Sequence, residues 1–311
     1  MRRRRGIDGA LTKTSVVFQG LQPDGTAIAA IKQSRVSLRI ERPFLRHEAR
    51  ILQLLQGHKS IPRLLGYFRG PHFEYIALEL LGETLKEQIH QEDGAALLPE
   101  TVARVGMQML SALEHLHKQG VVHRDIKPSN VLLCPAEPNL VRLVDFGLCS
   151  LTDLVRPRDP RAHPSIVGSL PWCSVSVQDG KWPLTASDDL ESLVYTLLFL
   201  LGGDLPWYDF PRSLRDPVAL AHVTTTKKSF REVDFSATDS LLGVHLGFML
   251  EHTTGEPDPP RSGKPASDSN FILAMDDWVP CLERNIDLTF PLHLAQACDE
   301  AIPAFIRVVS L

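Results

Sequence analysis

The alternation of apolar and polar positions divides the chain into a short region of strands and a longer region of helices. Apolar runs at residues 16–18 and 27–31 flank a Pro-Asp-Gly turn, which predicts two paired strands within residues 15–32. A helical pattern predicts a helix over residues 42–56, and an apolar run predicts a strand over residues 73–81. The first region is therefore predicted to be a small β-rich lobe with one helix.

From about residue 82 the pattern becomes helical. Residues 99–117 carry an apolar stripe at the spacing typical of a helix that packs on a core. The strongly apolar segment 188–201 predicts a buried helix. Proline-rich loops are predicted over residues 149–167 and 254–270, and further helices near residues 271–284 and 292–309. Together the two regions predict an α+β fold with two lobes.

Composition and charge narrow the class of protein. The chain has 311 residues, 43% of them hydrophobic, and its net charge of -4 gives no basic field for nucleic acid. Five scattered cysteines predict reduced thiols in the cytoplasm or nucleus, and not disulfides or a zinc site. No apolar segment follows the arginines at 2–5, so secretion is not expected. The longest apolar run, residues 193–201, is too short to span a membrane.

Two neighbouring motifs carry most of the chemical information. Residues 123–130 read H-R-D-I-K-P-S-N, and residues 145–147 read D-F-G. They supply a carboxylate base, a lysine that can bind phosphate and two oxygen ligands for a metal, in the order Asp125, Lys127, Asn130 and Asp145. Phosphoryl transfer needs this set, because a hydroxyl must be positioned while the phosphate charge is neutralised. So many fixed positions rarely coincide by chance.

These motifs resemble those of the eukaryotic protein kinases, and four further segments are most similar to the casein kinase I group. The four segments are residues 48–62, 78–85, 188–193 and 205–207, which resemble that group's regulatory helix, hinge, central helix and following loop. The resemblance covers about residues 15–230, and the region from about residue 236 is divergent. It implies a bilobal kinase fold, with an N-lobe over residues 1–81 and a C-lobe over residues 82–311.

The resemblance implies a chemical role for four residues of the two motifs. Asp125 would accept or orient the proton of the substrate hydroxyl, for which a carboxylate suffices. Lys127 would lie near the transferred γ-phosphate, and a lysine at this position accompanies serine or threonine substrates. Asn130 and Asp145 would hold Mg²⁺, because both offer hard oxygen ligands.

Other residues would bind ATP. Lys32 would contact the α- and β-phosphates, and Glu48 would hold Lys32 by an ion pair. Helical phase and the match to the family around it favour Glu48 over Glu41 for this role. The adenine ring would lie between apolar side chains of both lobes and beside backbone groups of the hinge; these residues are Val17, Ala30, Leu132, Glu79 and Leu81. Structural roles are implied for His123, Phe146 and Leu52, as stacked core residues, and for Asp189, as a tie for the H-R-D backbone.

The phosphate-binding loop departs from the kinase pattern. Glycines in this loop let backbone N–H groups approach phosphate closely, but its three glycine positions hold Ala10, Thr12 and Ser15. We therefore expect weak binding of ATP. Two interpretations stay open: the N-lobe is degenerate, or the sequence is truncated at its start.

The substrate-binding segment departs as well. Pro171 stands where the casein kinase I group has a basic residue that helps to bind acidic substrates, while Lys227 and Lys228 stand where a second basic contact would be. The preference for acidic protein substrates is therefore open. Ser165 is the only hydroxyl between Arg156 and Gly168, and no dependence on phosphorylation of this loop is expected.

The sequence thus predicts a serine/threonine protein kinase that uses ATP and Mg²⁺ on protein substrates. The alternative is a pseudokinase, a scaffold of the same fold with weak or no catalysis. The intact Lys32, Asp125, Asn130 and Asp145 favour the enzyme, whereas the missing loop glycines favour the scaffold. The long segment before Gly168 disfavours a kinase of small molecules. The oligomeric state is left open.

Overall fold

The computed structural model describes residues 15–21, 27–36, 44–91, 96–152, 167–181, 183–208 and 216–231, together with positions 246 and 250. The predictions for Ala10, Thr12, Ser165 and the chain beyond residue 250 lie outside these ranges. Within them, the chain forms a β-rich lobe and a helical lobe, as predicted. No helix in these ranges has both the length and the apolar character needed to cross a membrane.

The N-lobe is built on a four-stranded antiparallel sheet. Its strands are β1 (Ser15–Leu21), β2 (Ala27–Arg35), β3 (Leu64–Arg69) and β4 (Phe73–Glu79), in the order β1-β2-β4-β3. The register of β2 places Lys32 between Val17 of β1 and Ile76 of β4. The two strands predicted within residues 15–32 are confirmed, and β2 continues to Arg35.

β3 is an element that the sequence pattern did not predict. Its segment contains Gly66, and its pairing with β4 shifts register between Leu64 and Gly66. Such an irregularity breaks the alternation of inward and outward side chains on which strand prediction depends. The sequence pattern assigned no element between residues 57 and 72, and the structure places a strand there.

α1 (Phe44–Leu55) packs on β3 and β4 with one side and leaves the other side open. Leu45, Leu52 and Leu55 are buried in the core, whereas Arg46 and Arg50 are exposed. This division follows from apolar residues that recur three or four positions apart. The helix predicted over residues 42–56 is confirmed.

The C-lobe contains the described helices α2 (Leu85–Gln91), α3 (Pro99–Lys118), α4 (Val175–Gln178), α5 (Ala186–Gly202) and α6 (Pro217–Arg231). α3 and α5 pack against each other and form the centre of the core, as their apolar patterns predicted. α5 is apolar on nearly all sides and is almost completely buried. It begins with a capping box, in which Thr185 and Asp188 exchange hydrogen bonds.

Two short pairs of strands hold the motif segments at the boundary between the lobes. β5 (Val121–Val122) pairs with β8 (Ser150–Leu151), and β6 (Val131–Leu133) pairs with β7 (Val141–Leu143). The H-R-D segment therefore connects β5 to β6, and the D-F-G segment connects β7 to β8. Because both segments are anchored at both ends, their polar side chains are held close to each other.

Arg104 of α3 is a charged residue buried in the C-lobe. The residue is 7% exposed, and its Nε and Nη1 atoms have no hydrogen-bond partner in the described part of the chain. A buried donor without a partner costs about 1–3 kcal/mol. We expect Arg104→Leu to raise the free energy of unfolding by about 1 kcal/mol or more in urea denaturation. The control Arg50→Leu, at an exposed position, should change it by less than about 0.5 kcal/mol. A destabilised Arg104→Leu would show that an anionic partner holds the guanidinium group.

Candidate active site

The first half of the site is an ion-pair triad that joins both lobes. Lys32 Nζ donates to Glu48 Oε2 at 2.8 Å and Oε1 at 3.1 Å, and to Asp145 Oδ1 at 2.7 Å. The Glu48 side chain on α1 is 2% exposed, while that of Asp145 is 41% exposed. The ion pair predicted for Lys32 is therefore made by Glu48, and the triad ties β2, α1 and the D-F-G segment together.

The triad holds Lys32 and Asp145 in their charged forms. Burial alone would lower the pKa of Lys32, but the carboxylates of Glu48 and Asp145 raise it above its ordinary value. Lys32 is in turn the main cause that lowers the pKa of Asp145 to about 2. Burial raises the pKa of Glu48, and the Lys32 ammonium group opposes that rise. Ionised Asp145 therefore stabilises the fold above the pKa of an unfolded aspartate, about 3.9, and this contribution is lost as the pH falls toward 2.

The second half of the site surrounds Asp125. Its Oδ2 atom accepts hydrogen bonds from Lys127 Nζ at 2.6 Å and Asn130 Nδ2 at 3.2 Å, and its Oδ1 atom accepts one from Ser169 Oγ at 2.8 Å. Lys127 Nζ also donates to Ser169 Oγ at 2.8 Å. The structure thus brings Asp125, Lys127 and Asn130 together, and three side chains fix the orientation of the carboxylate.

Ser169 also belongs to the site, although the sequence alone had indicated no role for it. It lies 44 positions from Asp125 along the chain, so no local pattern could predict the hydrogen bond between them. The one signal in the sequence was its position directly after Gly168, in the segment before α4. The hydroxyl links the segment before α4 to the H-R-D segment.

The backbone of the H-R-D segment is fixed by one buried carboxylate, that of Asp189. Its Oδ2 atom accepts the N–H of His123 and its Oδ1 atom that of Arg124, each at 2.7 Å, and His117 Nε2 lies 3.0 Å from Oδ2. Arg124 has φ +70°, in the left-handed region that side chains other than glycine rarely adopt. The hydrogen bonds from Asp189 hold this backbone in place, which is the structural role predicted for that residue.

His123 is a core residue, as predicted, and lies against the D-F-G segment. Its ring meets that of Phe146 edge to face, with centroids 5.1 Å apart, and both side chains are completely buried in the core that also contains Leu52. Burial lowers the pKa of His123 although the surrounding carboxylates oppose this effect. The imidazole is therefore neutral near pH 7 and links the two motifs by packing.

The buried state of His123 predicts how stability depends on pH. An unfolded histidine, with a pKa of about 6.5, binds a proton that the folded one does not, so stability falls as the pH drops below that value. One such group contributes up to about 1.4 kcal/mol per pH unit, and His58, whose pKa is also lowered by burial, acts in the same direction. Denaturation between pH 7.5 and 5.5 should give a shallower slope for His123→Phe than for wild type. The exposed variant His72→Phe should keep the wild-type slope, and equal slopes for all three proteins would contradict this assignment.

Comparison with known proteins agrees with this arrangement. The sequence model of the protein kinase domain family matches residues 12–240. The chain belongs to the protein kinase family. It is similar to Casein kinase I homolog 2 of Schizosaccharomyces pombe, with 31% identity over 203 residues, or 62% of this chain and 45% of that protein. It is also similar to Casein kinase I homolog RAG8 of Kluyveromyces lactis, with 30% identity over 247 residues, or 76% of this chain and 44% of that protein. The chain spans less than half the length of both relatives.

The residues predicted to contact adenine come from both lobes of the chain. Val17 lies on β1 and is 41% exposed, Ala30 lies on β2 opposite Leu78, and Leu132 lies on β6. A hydrogen bond from Gly82 N–H to Leu133 O at 2.8 Å fixes the hinge, residues 78–85, to β6 of the C-lobe.

Glu79 and Leu81 belong to the same hinge. The N–H group of Glu79 donates to Arg63 O at 3.0 Å, and its carboxylate pairs with Arg142 at 2.9 Å. Because its N–H group is used within the fold, the carbonyl oxygen is the backbone group that Glu79 could offer to adenine. Leu81 is 6% exposed, so its side chain belongs to the core.

The side-chain oxygen atoms of Asn130 and Asp145 suit a magnesium ion that phosphate oxygens would also hold. The Nδ2 atom of Asn130 donates to Asp125 O at 2.8 Å, which leaves its Oδ1 atom for a cation, and Asp145 adds an accessible carboxylate. In the described ranges, no group of three or more His, Cys, Asp or Glu side chains could hold a metal by itself. Mg²⁺ is typically bound by one or two carboxylates together with phosphate oxygens and water, so this sparse set fits.

One predicted contact is wrong. Lys227 is completely buried, and its Nζ atom donates to Leu170 O at 3.2 Å and Cys173 O at 2.6 Å. It also lies 4.6 Å from the ring centroid of Tyr195, so it supports the segment before α4 from beneath and cannot reach a substrate. Lys228 remains exposed and pairs with Asp179 at 2.9 Å. Consecutive helix residues point in directions about 100° apart, so only one of the two lysines could face the core.

Proposed function

We propose that this chain is a serine/threonine protein kinase that transfers the γ-phosphate of ATP to a protein hydroxyl. The observation that carries the proposal is that both halves of the site are assembled together: Lys32 bonded to Glu48 and Asp145, and Asp125 bonded to Lys127 and Ser169. The similarity to two casein kinase I homologues supports the choice of substrate hydroxyl.

Asp125 orients the attacking hydroxyl in this mechanism. The bond between the γ-phosphorus and the β,γ-bridging oxygen breaks, a bond from phosphorus to the substrate oxygen forms, and the hydroxyl proton passes to Asp125 or water. Because the transition state of phosphoryl transfer is loose, alignment matters more than a strong base. The three side chains that hold the Asp125 carboxylate supply that alignment.

Positive charge around the phosphates comes from two lysines of the chain. Lys32 serves the α- and β-phosphates and is positioned by Glu48, while Lys127 lies beside Asp125 for the transferred group. Asn130 and Asp145 would hold Mg²⁺, which would supply further positive charge to the phosphate oxygens. Electrostatic stabilisation of this kind is usually the largest single contribution to such catalysis.

The pseudokinase alternative rests on the missing loop glycines. Ala10 and Thr12 lie outside the described residues, and Ser15 begins β1 opposite Ser34. In contrast, each charged residue on which transfer depends is present and is bonded to a partner with which it would act. A scaffold has no need of a lysine bonded to two carboxylates beside an oriented aspartate, so these contacts favour the enzyme.

The test is transfer of label from γ-labelled ATP to an acidic protein such as casein. We expect label on serine or threonine and none on tyrosine, and we expect transfer to stop when EDTA removes Mg²⁺. Label on tyrosine would refute the substrate class. Absence of label together with measurable ATP binding would favour the pseudokinase.

A further inference from the structure

Arg142 on β7 lies where the hinge, the loop after α1 and the C-lobe meet. Its side chain is 13% exposed, and its Nε atom lies 2.9 Å from Oε1 of the Glu79 carboxylate. Its Nη1 atom donates to Lys59 O and, at 3.3 Å, to Ile61 O. One side chain of the C-lobe therefore contacts both the last residue of β4 and the loop that follows α1.

The carboxylate of Glu79 is the main counter-charge of Arg142. Among the described residues, the carboxylates of Glu79 and Glu137 lie within 4 Å of the guanidinium group. The Glu79 side chain is 17% exposed and lies 2.9 Å away, whereas that of Glu137 is 60% exposed and lies 3.7 Å away. The Nε atom forms no hydrogen bond in the described part of the chain, so its contact with Glu79 is an ion pair. Attraction is screened less in a partly buried pair, so the pair with Glu79 is the stronger of the two.

Glu79 is held by contacts on its backbone and on its side chain. Its N–H group donates to Arg63 O at 3.0 Å, and its Oε1 atom accepts the N–H of Arg63 at 2.9 Å. Ala29 of β2 lies opposite Glu79 in the sheet. The ion pair with Arg142 is the contact that ties this end of β4 to the C-lobe. The position of the Glu79 carbonyl oxygen relative to the C-lobe therefore depends on Arg142.

Arg142 also belongs to the pair of strands that carries Leu132. It lies directly opposite Leu132 in the pairing of β6 with β7, and side chains directly opposite each other project from the same face of a sheet. Leu132 is the C-lobe residue predicted to contact the adenine ring, and Glu79 is a hinge residue predicted to offer it a backbone group. Arg142 thus links the strands beneath the ring to the hinge at its edge.

We propose that Arg142 is a positioning residue for the recognition of adenine. Its ion pair with Glu79 places the Glu79 carbonyl oxygen so that this oxygen accepts a hydrogen bond from the exocyclic amine of the base. The inference rests on the proposed use of ATP. Arg142 acts through Glu79 and does not contact the nucleotide. Desolvation offsets much of the attraction within a buried ion pair, so the effect of Arg142 lies in geometry more than in stability.

The proposal makes the choice of base the property to measure. Adenine carries an amine that donates to the carbonyl oxygen, whereas hypoxanthine carries an oxygen at that position and leaves the carbonyl group without a donor. A site built to hydrogen-bond a group discriminates against an analogue that lacks it. The discrimination is lost when the carbonyl oxygen is no longer held in place. A residue with only a structural role would change the affinity for both bases alike.

The experiment is calorimetry of ADP and of IDP, whose base is hypoxanthine, with Mg²⁺ and the intact chain. We expect wild type to bind ADP about tenfold more tightly than IDP, which corresponds to one hydrogen bond. In Arg142→Gln, the affinity for ADP should fall about fivefold while that for IDP stays within about twofold. Phosphoryl transfer is not needed for either measurement.

Further variants separate the ion pair from the other contacts of Arg142. Glu79→Gln removes the ion pair but leaves the bonds from Arg142 to Lys59 and Ile61, and it should lower the preference for ADP as Arg142→Gln does. Adding Arg142→Gln to Glu79→Gln should have little further effect, because both changes remove one interaction. Arg142→Lys keeps the charge and should recover part of the preference. The control Glu137→Gln removes the exposed carboxylate near Arg142 and should keep the wild-type preference.

Three results would overturn the proposal. An unchanged preference for ADP in folded Glu79→Gln would show that the ion pair does not position the carbonyl oxygen, and this variant decides the matter if Arg142→Gln fails to fold. Equal losses of ADP and IDP in Arg142→Gln would show that Arg142 supports the fold and not the base. Equal affinity of wild type for ADP and IDP would show that the hinge does not read the amine. Transfer of label to casein is a separate measurement. Its absence, with the preference for ADP and the effect of Arg142→Gln intact, would refute the kinase activity and support the role of Arg142.

Discussion

Asp145→Asn should lower magnesium-dependent phosphoryl transfer by about a thousandfold, the loss typical when one electrostatic stabiliser of a transition state is removed. Asparagine has a similar shape but lacks the charge that Mg²⁺ requires of its few protein ligands. The fold should persist, because Lys32 keeps its two hydrogen bonds to Glu48. Asp145 also has φ +68°, a conformation that asparagine tolerates better than most residues.

Steady-state rates and a thermal unfolding curve measure the two parts of this prediction. Asp179→Asn is a suitable control, because it removes an exposed carboxylate that pairs with Lys228 at 2.9 Å, away from the motifs. Its rate should stay within about twofold of wild type. If Asp145→Asn kept activity within a few-fold of wild type, the assignment of Asp145 as a metal ligand would be wrong.

Gly168→Ala should lower activity about a hundredfold and destabilise the protein by about 2–4 kcal/mol. Gly168 has φ +100°, and a Cβ atom there would lie 2.7 Å from the carbonyl oxygen of Arg124. That oxygen cannot move freely, because Asp189 accepts the N–H groups of His123 and Arg124. The next residue, Ser169, bonds to Asp125, so a shift of the segment would disturb the carboxylate that orients the substrate.

Gly57→Ala is the matched control for this substitution. Gly57 has nearly the same backbone conformation, with φ +101°, but a Cβ atom there would meet nothing within 4 Å. We expect Gly57→Ala to show only the strain of the left-handed backbone, about 1 kcal/mol, and no loss of activity beyond the change in stability. Equal effects of the two substitutions would mean that contact with Arg124 is not what Gly168 avoids.

The sequence predicted that the polar residues of the H-R-D motif would lie together in one site. Asp125, Lys127 and Asn130 lie within one loop, and a loop anchored between two strands brings its own side chains together. The pairing of Lys32 with Glu48 was also predicted. The resemblance to the protein kinases implied the ion pair, and helical phase with the match around it favoured Glu48 over Glu41. The α+β fold followed from the two kinds of apolar pattern.

The remaining features depend on contacts between distant segments. Ser169 reaches Asp125 only after the segment before α4 packs on the H-R-D segment. Lys227 was misplaced because the sequence does not show that it lies beneath Leu170 and Cys173. β3 was not predicted, because Gly66 and a shift of register interrupt the alternation of apolar and polar side chains along this strand. In each case tertiary packing, and not local preference, decides the outcome.

The most direct test of the central claim compares wild type with Asp125→Asn in two measurements on the same samples. Calorimetry measures the binding of ATP with Mg²⁺, and γ-labelled ATP measures transfer to casein. Because Asp125 orients the hydroxyl and holds neither nucleotide nor metal in this account, the variant should bind ATP as wild type does and lose transfer. Transfer that is equal in both proteins, or absent from both while both bind ATP, would contradict the account.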